Sequence, residues 1–226
     1  MSSGLVHELD RAWDYEVLRD FVTIERLRSY LRASGGDLAC AFRLYEWNLR
    51  ASVSVLGLTS IVEVVVRNAL DRELRTWSAS RFGDEIWFDH VHLDRQGADA
   101  LKTARDRATR SGRVPEIHGK VIAELPLGFW RFLVESRYLT ALWTPALYKA
   151  FPHGDADLLS RQRAVAHLMR KMQFVRNRVA HHEPIHRRDL LDDFAAACSL
   201  TAWVSPHTSA WLQSLSKLRE VVAAKP

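Results

Sequence analysis

The sequence predicts an all-α fold, and three observations carry that expectation. Apolar residues recur at a spacing of three or four, not in strict alternation. The chain has only 10 Gly and 7 Pro among 226 residues, so long stretches are free of helix breakers. Asp, Pro and Gly stand where helices should begin and end. No period-two run is long enough to argue for a strand.

The first two helices are expected over 8–21 and 23–33, with Ser34-Gly35-Gly36 closing the second. Asp37 is placed to cap a third, over 37–77, bent or broken near Gly57. An irregular stretch over 81–93 holds Trp87 and Phe88. Asp94 caps a polar helix reaching to 110, which Ser111-Gly112 ends. Pro115 and Pro126 frame a short helix carrying Val121 and Ile122. Pro126 then suits the first turn of another helix, where its missing N–H leaves no bond unmade. Pro145 and Pro152 break up a connector containing Trp143, Tyr148 and Phe151. A helix over 155–180 follows, and two more, over 188–204 and 206–224, complete the chain.

The length suffices to bury a substantial core in a single domain over 1–226. A hydrophobic share of 47% with 26% charged residues excludes a disordered chain. The net charge of +5 is compatible with an anionic partner. The start, Met1-Ser2-Ser3-Gly4, does not resemble a signal peptide, and the longest apolar run, 53–66, is interrupted by Ser60 and Glu63. A cytoplasmic protein with no membrane partner is therefore expected. Cys40 and Cys198 form no spacing motif and read as reduced thiols.

Polar residues that interrupt apolar faces point to chemistry. On a helical wheel of about 100° per residue with Met172 at zero, Val165, Leu168, Met169, Val175 and Val179 fall within about 60°. Arg176 falls inside that stripe, at about +40°. A guanidinium cannot shed its charge, so it either pairs with an anion, snorkels to solvent, or lines an anion-binding cleft. In the third helix, Glu63 and Arg67 are spaced i,i+4 in an equally apolar setting. They read as a buried ion pair, or as Glu63 orienting Arg67 or Arg176 at a catalytic centre.

The run Arg176-Asn177-Arg178-Val179-Ala180-His181-His182-Glu183-Pro184 is the densest polar segment. Pro184 disfavours α geometry at Glu183, so the helix should end near His181 or His182. On an ideal helix His181 lies about 140° from Arg176, so the two do not share a face. His181, His182 and His186 also allow a metal reading, but Pro184 spoils the i,i+4 pair and no acidic or cysteine set completes a zinc pattern. No metal and no other cofactor is expected.

Arg176-Asn177-x-x-Ala180-His181 resembles the Arg-x4–6-His motif of HEPN domains. The stretch 175–185 as a whole is similar to the signature of Abi-like proteins, a HEPN family associated with bacterial abortive infection. Leu44-Tyr45-Glu46-Trp47-Asn48, Glu63-Val64-Val65-Val66-Arg67-Asn68 and the segment Leu125 to Trp130 also resemble stretches of that family, so the likeness covers roughly 26–204. The resemblance implies a HEPN-like helical bundle with additional N- and C-terminal helices, often a homodimer with a shared cleft. It implies a metal-independent endoribonuclease acting in phage defence or as a toxin, with RNA as partner and an antitoxin or other regulator. Arg176, Asn177 and His181 would be catalytic; Glu63, Arg67, Asn68, Arg178 and His182 would support them or bind RNA. Some members of the superfamily bind or regulate without cleaving, and that alternative stays open.

Overall fold

The computed structural model describes residues 13–226, so the beginning of the first expected helix lies outside the described residues. Helix α1 (Tyr15–Val22) and helix α2 (Ile24–Ala33) lead into α3 (Leu38–Phe82), a single helix of 45 residues. Asp37 starts α3 by accepting the Cys40 N–H at 2.6 Å, and Gly83, at φ 86°, ends it in the left-handed conformation that glycine adopts freely. Between them there is no proline, and α3 continues through Gly57 and past residue 77 without a break.

Helix α4 (Arg95–Ala108), capped by Asp94, packs on the short α5 (His118–Glu124), and α6 (Leu127–Leu133) lies against α3, α4 and α7. The connector from 134 to 151 is a series of tight turns, one of them π-helical over Leu139–Trp143. Helix α7 (Leu158–Ala180) begins at Asp157, not Asp155, because Asp157 supplies the cap to the Ser160 N–H at 2.6 Å. Helix α8 (Leu190–Val204) is capped by Asp189. The expected last helix is two, α9 (Pro206–Leu215) and α10 (Leu218–Ala223), parted at Ser216.

The described residues contain helices and turns and no strand, so the fold is all-α. Helix α3 is its axis, and α2, α7, α8 and α10 all pack along it. The buried side runs through Val55, Leu58, Val62, Val66, Leu70 and Leu74, within one contiguous core reaching from Tyr30 to Leu218. Three buried tryptophans bond their indole N–H: Trp47 donates to the Val221 carbonyl at 2.6 Å, Trp143 to the Leu158 carbonyl at 2.9 Å, and Trp87 to Asp71 at 2.8 Å, whereas the buried Trp130 indole nitrogen has no partner among the described residues.

By length and composition α3 could also cross a membrane, since one 18-residue window has a mean hydropathy of 1.7 despite Ser60 and Glu63. A central helix packed by neighbours along one side passes the same test, and a third of that window is buried inside the molecule. The opposite side of α3 leaves Leu49, Val53, Leu56 and Val64 exposed.

Candidate anion-binding site at the end of α7

Between its first and last residue, α7 carries Arg161, Arg163, Arg170, Lys171, Arg176 and Arg178 and not one acidic residue. The apolar stripe expected from the sequence is present: Val165, Met169, Met172, Val175 and Val179 are buried, and Leu168 is half-buried. Arg176 stands at the edge of this stripe, half-buried, in a cleft of about 220 Å³. Gln173 and Asn177 line the same cleft from α7, and Gly128, Phe129 and Phe132 line it from α6. A Cβ on Gly128 would lie 2.8 Å from the Gln173 amide nitrogen, so a side chain there would displace that amide within the cleft.

The Arg176 guanidinium has neither a carboxylate nor a hydrogen-bond partner among the described residues, and the Asn177 amide likewise bonds to none of them. A half-buried cation beside an unengaged amide in a cleft suits an anion bearing several acceptor oxygens. Of the three readings left open for Arg176, ion pairing within the chain is therefore not the one realised.

The helix ends where Pro184 requires. His181 is the C-cap, its N–H reaching the Asn177 carbonyl at 2.9 Å, and His182 turns into the left-handed region at φ 57°. The Glu183 N–H closes back onto the Arg178 carbonyl at 2.7 Å. The imidazoles of His181 and His182 are exposed, and neither has a hydrogen-bond partner among the described residues. Ile185 is then buried, its N–H bonded to the Asn48 side chain of α3 at 2.8 Å, which fixes the turn to the bundle.

Arg176 and Asn177 thus come together in one cleft, and His181, about 140° round the helix from Arg176, does not line it. The angular separation read from the sequence persists in the single chain. His186 is buried, its ring tilted by 32° against Tyr30 at 4.7 Å and 3.3 Å from the Ser29 hydroxyl, whereas His182 is exposed. Burial, aided by nearby Arg187 and Lys225, pulls the His186 pKa below its ordinary value. Among the described residues no three His, Cys, Asp or Glu side chains are grouped to hold one metal ion.

The expected Glu63–Arg67 ion pair is not formed. Arg67 instead donates to its neighbour Asn68 at 3.4 Å, and Glu63 makes no ion pair with Arg176 either. The physical reason is orientation. The buried side of α3 centres on Val62 and Val66, roughly 60–100° from Glu63, so Glu63 and Arg67 ride on its half-buried rim. A wheel drawn on a helix that is apolar nearly all round cannot tell which side is core: Leu56, which shares the face of Glu63, is exposed. Asn68 is exposed on the same helix.

Arg178 is engaged by Glu183 at 3.1 Å and by the Pro184 carbonyl at 2.8 Å. The sequence reading passed over its neighbour Phe174, which is 52% exposed. Arg178 and Arg188 lie 5.8 and 5.0 Å from the centre of that ring. The signal was available: Phe174 falls about 160° from Met172, an aromatic on the polar face. Arg163 and Arg170, which line a second groove beside α7, were passed over as well. A more spacious cavity, about 540 Å³, lies at the far end of α3 among Trp77, Phe82, His90 and Tyr138 and contains no motif residue.

Fold and site together define an all-α helical domain with a cationic, anion-ready helix end. No family model, no curated protein and no solved structure matches the chain. The likeness to Abi-like HEPN proteins accordingly rests on the quoted residues alone.

Proposed function

We propose that the protein is a metal-independent endoribonuclease of the Abi-like HEPN type, acting on RNA at Arg176, Asn177 and His181. The observation that carries this reading is the uncommitted guanidinium of Arg176 beside Asn177 in a cleft, four residues before a histidine-capped helix end. In the proposed reaction the RNA 2′-hydroxyl oxygen attacks the adjacent phosphorus and loses its proton to a base. The P–O5′ bond then breaks, an acid protonates the departing 5′ oxygen, and a 2′,3′-cyclic phosphate remains. His181 serves as the acid or the base, since an imidazole nitrogen can either give up or take a proton. Arg176 stabilises charge on the pentacoordinate phosphorane, and Asn177 positions a phosphate oxygen.

The active species in this reading is a homodimer, in which Arg176 of one chain and His181 of its partner share a cleft. Two features support it. Arg176 and His181 do not line a common cleft in one chain, and the exposed Leu49, Val53, Leu56 and Val64 stripe begins one residue from Asn48, the anchor of the His181 turn. A role in phage defence or as a toxin, a cytoplasmic setting and control by an antitoxin follow from the resemblance. The second reading is a non-catalytic RNA-binding or protein-interaction module; the separation of Arg176 and His181 within a single chain favours it.

Incubation with a mixed RNA pool in EDTA separates the two. Cleavage leaving cyclic phosphate or 3′-phosphate ends supports the nuclease, and binding without cleavage supports the module. Mixing inactive Arg176→Ala and His181→Ala chains should restore cleavage if the site is composite. A monomer fully active at nanomolar concentration would exclude the dimer.

A further inference from the structure

We infer that Phe174 is a stacking platform for an unpaired nucleobase, so that the RNA entering this site is single-stranded where it meets α7. The inference rests on the RNA reading above and specifies its substrate. A phenylalanine 52% exposed on a helix with no acidic residue is poorly placed for solvation alone. Its setting is built. Arg188 grips the fully buried Asp193 through two bonds of 2.5 and 2.6 Å, and Arg178 is held by Glu183 and the Pro184 carbonyl. Both guanidiniums are thereby held over the ring, at 5.0 and 5.8 Å from its centre. Anchored cations around an exposed ring hold it ready for a flat, electron-rich partner.

Spacing connects the platform to the proposed chemistry. Phe174, Asn177, Arg178 and His181 stand at i, i+3, i+4 and i+7, one face of α7. Phe174 and His181 are about 10 Å apart along the helix axis, so a stacked base and the phosphate at His181 belong to neighbouring nucleotides of one strand. Upstream on the same side, Arg163 and Arg170 are exposed and have no carboxylate partner among the described residues, a path for backbone phosphates. Stacking of this kind needs a base free of its pairing partner, which a duplex does not offer.

The test uses 2′-O-methyl oligonucleotides, whose blocked 2′-oxygen cannot attack, carrying one 2-aminopurine, as a single strand and as the matching duplex. The wild-type protein should prefer the single strand and quench the 2-aminopurine on binding. Phe174→Ala should weaken single-strand binding roughly ten-fold, as loss of about 1–3 kcal/mol of stacking implies at 1.4 kcal/mol per decade. Phe174→Leu should behave like Phe174→Ala, while Phe174→Tyr should retain both affinity and quenching; all three should melt like the wild type. If wild type binds or cleaves RNA but Phe174→Ala binds the single strand unchanged, the platform is wrong and the nuclease reading stands. Equal affinity for duplex and single strand overturns the platform too. If the wild-type protein neither binds nor cleaves any RNA, both readings fall, and Phe174 with its arginines becomes the anchor of a protein contact.

Discussion

The two ends of α7 treat polar side chains in opposite ways. At the N-terminal end Arg161 is buried, with its guanidinium given to the carbonyls of Asp155 at 2.5 Å and Tyr148 at 3.3 Å. Gln162, buried beside it, donates to the Val134 carbonyl at 2.7 Å. These groups are satisfied by backbone and tie the helix to the connector before it. At the C-terminal end Arg176, Asn177 and His181 have no such partners among the described residues. Arg176 and Asn177 are half-buried and His181 is exposed, so water can serve these groups where the protein does not, and the fold does not depend on pairing them. One helix thus separates polar residues that hold the fold from polar residues kept for something outside it.

The largest effect expected from this contrast is on catalysis. Arg176→Ala and His181→Ala should each lower RNA cleavage by about 10²–10⁴-fold with the unfolding midpoint unchanged. A folded variant of either kind cleaving at the wild-type rate would erase the distinction. At the other end, Gln162→Leu strands the Val134 carbonyl and should cost about 1–3 kcal/mol in denaturant unfolding while cleavage per folded molecule is preserved. Asn48→Ala sharpens the comparison, because it removes the acceptor for the Ile185 N–H beneath the His181 turn. It should cost a similar amount, about 1–3 kcal/mol, and also slow cleavage.

Proton binding gives a further effect. His186 titrates below its ordinary value of 6.5 in the fold, so the folded state disfavours its protonation. Its stabilising contribution is complete above the unfolded value and is lost as the pH falls from there through the folded value. Melting temperature should therefore drop on acidification below about pH 6.5, and His186→Phe, which keeps an aromatic ring against Tyr30, should flatten that part of the profile. The smallest effect expected is at Gly57, where a Cβ meets nothing within 4 Å. Gly57→Ala should raise stability by about 0.5–1 kcal/mol, read from the denaturation midpoint.

Much of the fold was legible because its punctuation is local. Asp37, Asp94 and Pro126 open the helices that they were expected to open, and Pro184 ends α7 at His181. What failed was what depends on distant partners. Gly57 does not break α3, since neighbours packed along the helix outweigh a propensity cost of about 1 kcal/mol. Ser216 divides the last helix without Gly or Pro, and nothing in the local sequence marks the division. In the site, Arg176 was found because a charge in an otherwise clean stripe stands out. Glu63 was misjudged because α3 has no polar side from which to define a stripe. Phe174 and Arg188 lie on different elements and meet only in the folded molecule.

The bond between Asn48 and the Ile185 N–H joins positions 137 residues apart. On the ribosome Asn48 is made first and waits for its partner, roughly ten seconds at about 5–20 residues per second. The turn bearing His181 has no anchor until that long loop closes, and closure itself carries an entropy cost that only the assembled bundle offsets. A chain made only as far as Ala180 would hold the arginines of α7 without the anchored histidine turn. Whatever the helix end does to RNA, it would begin to do only after the last third of the protein has been synthesised and docked.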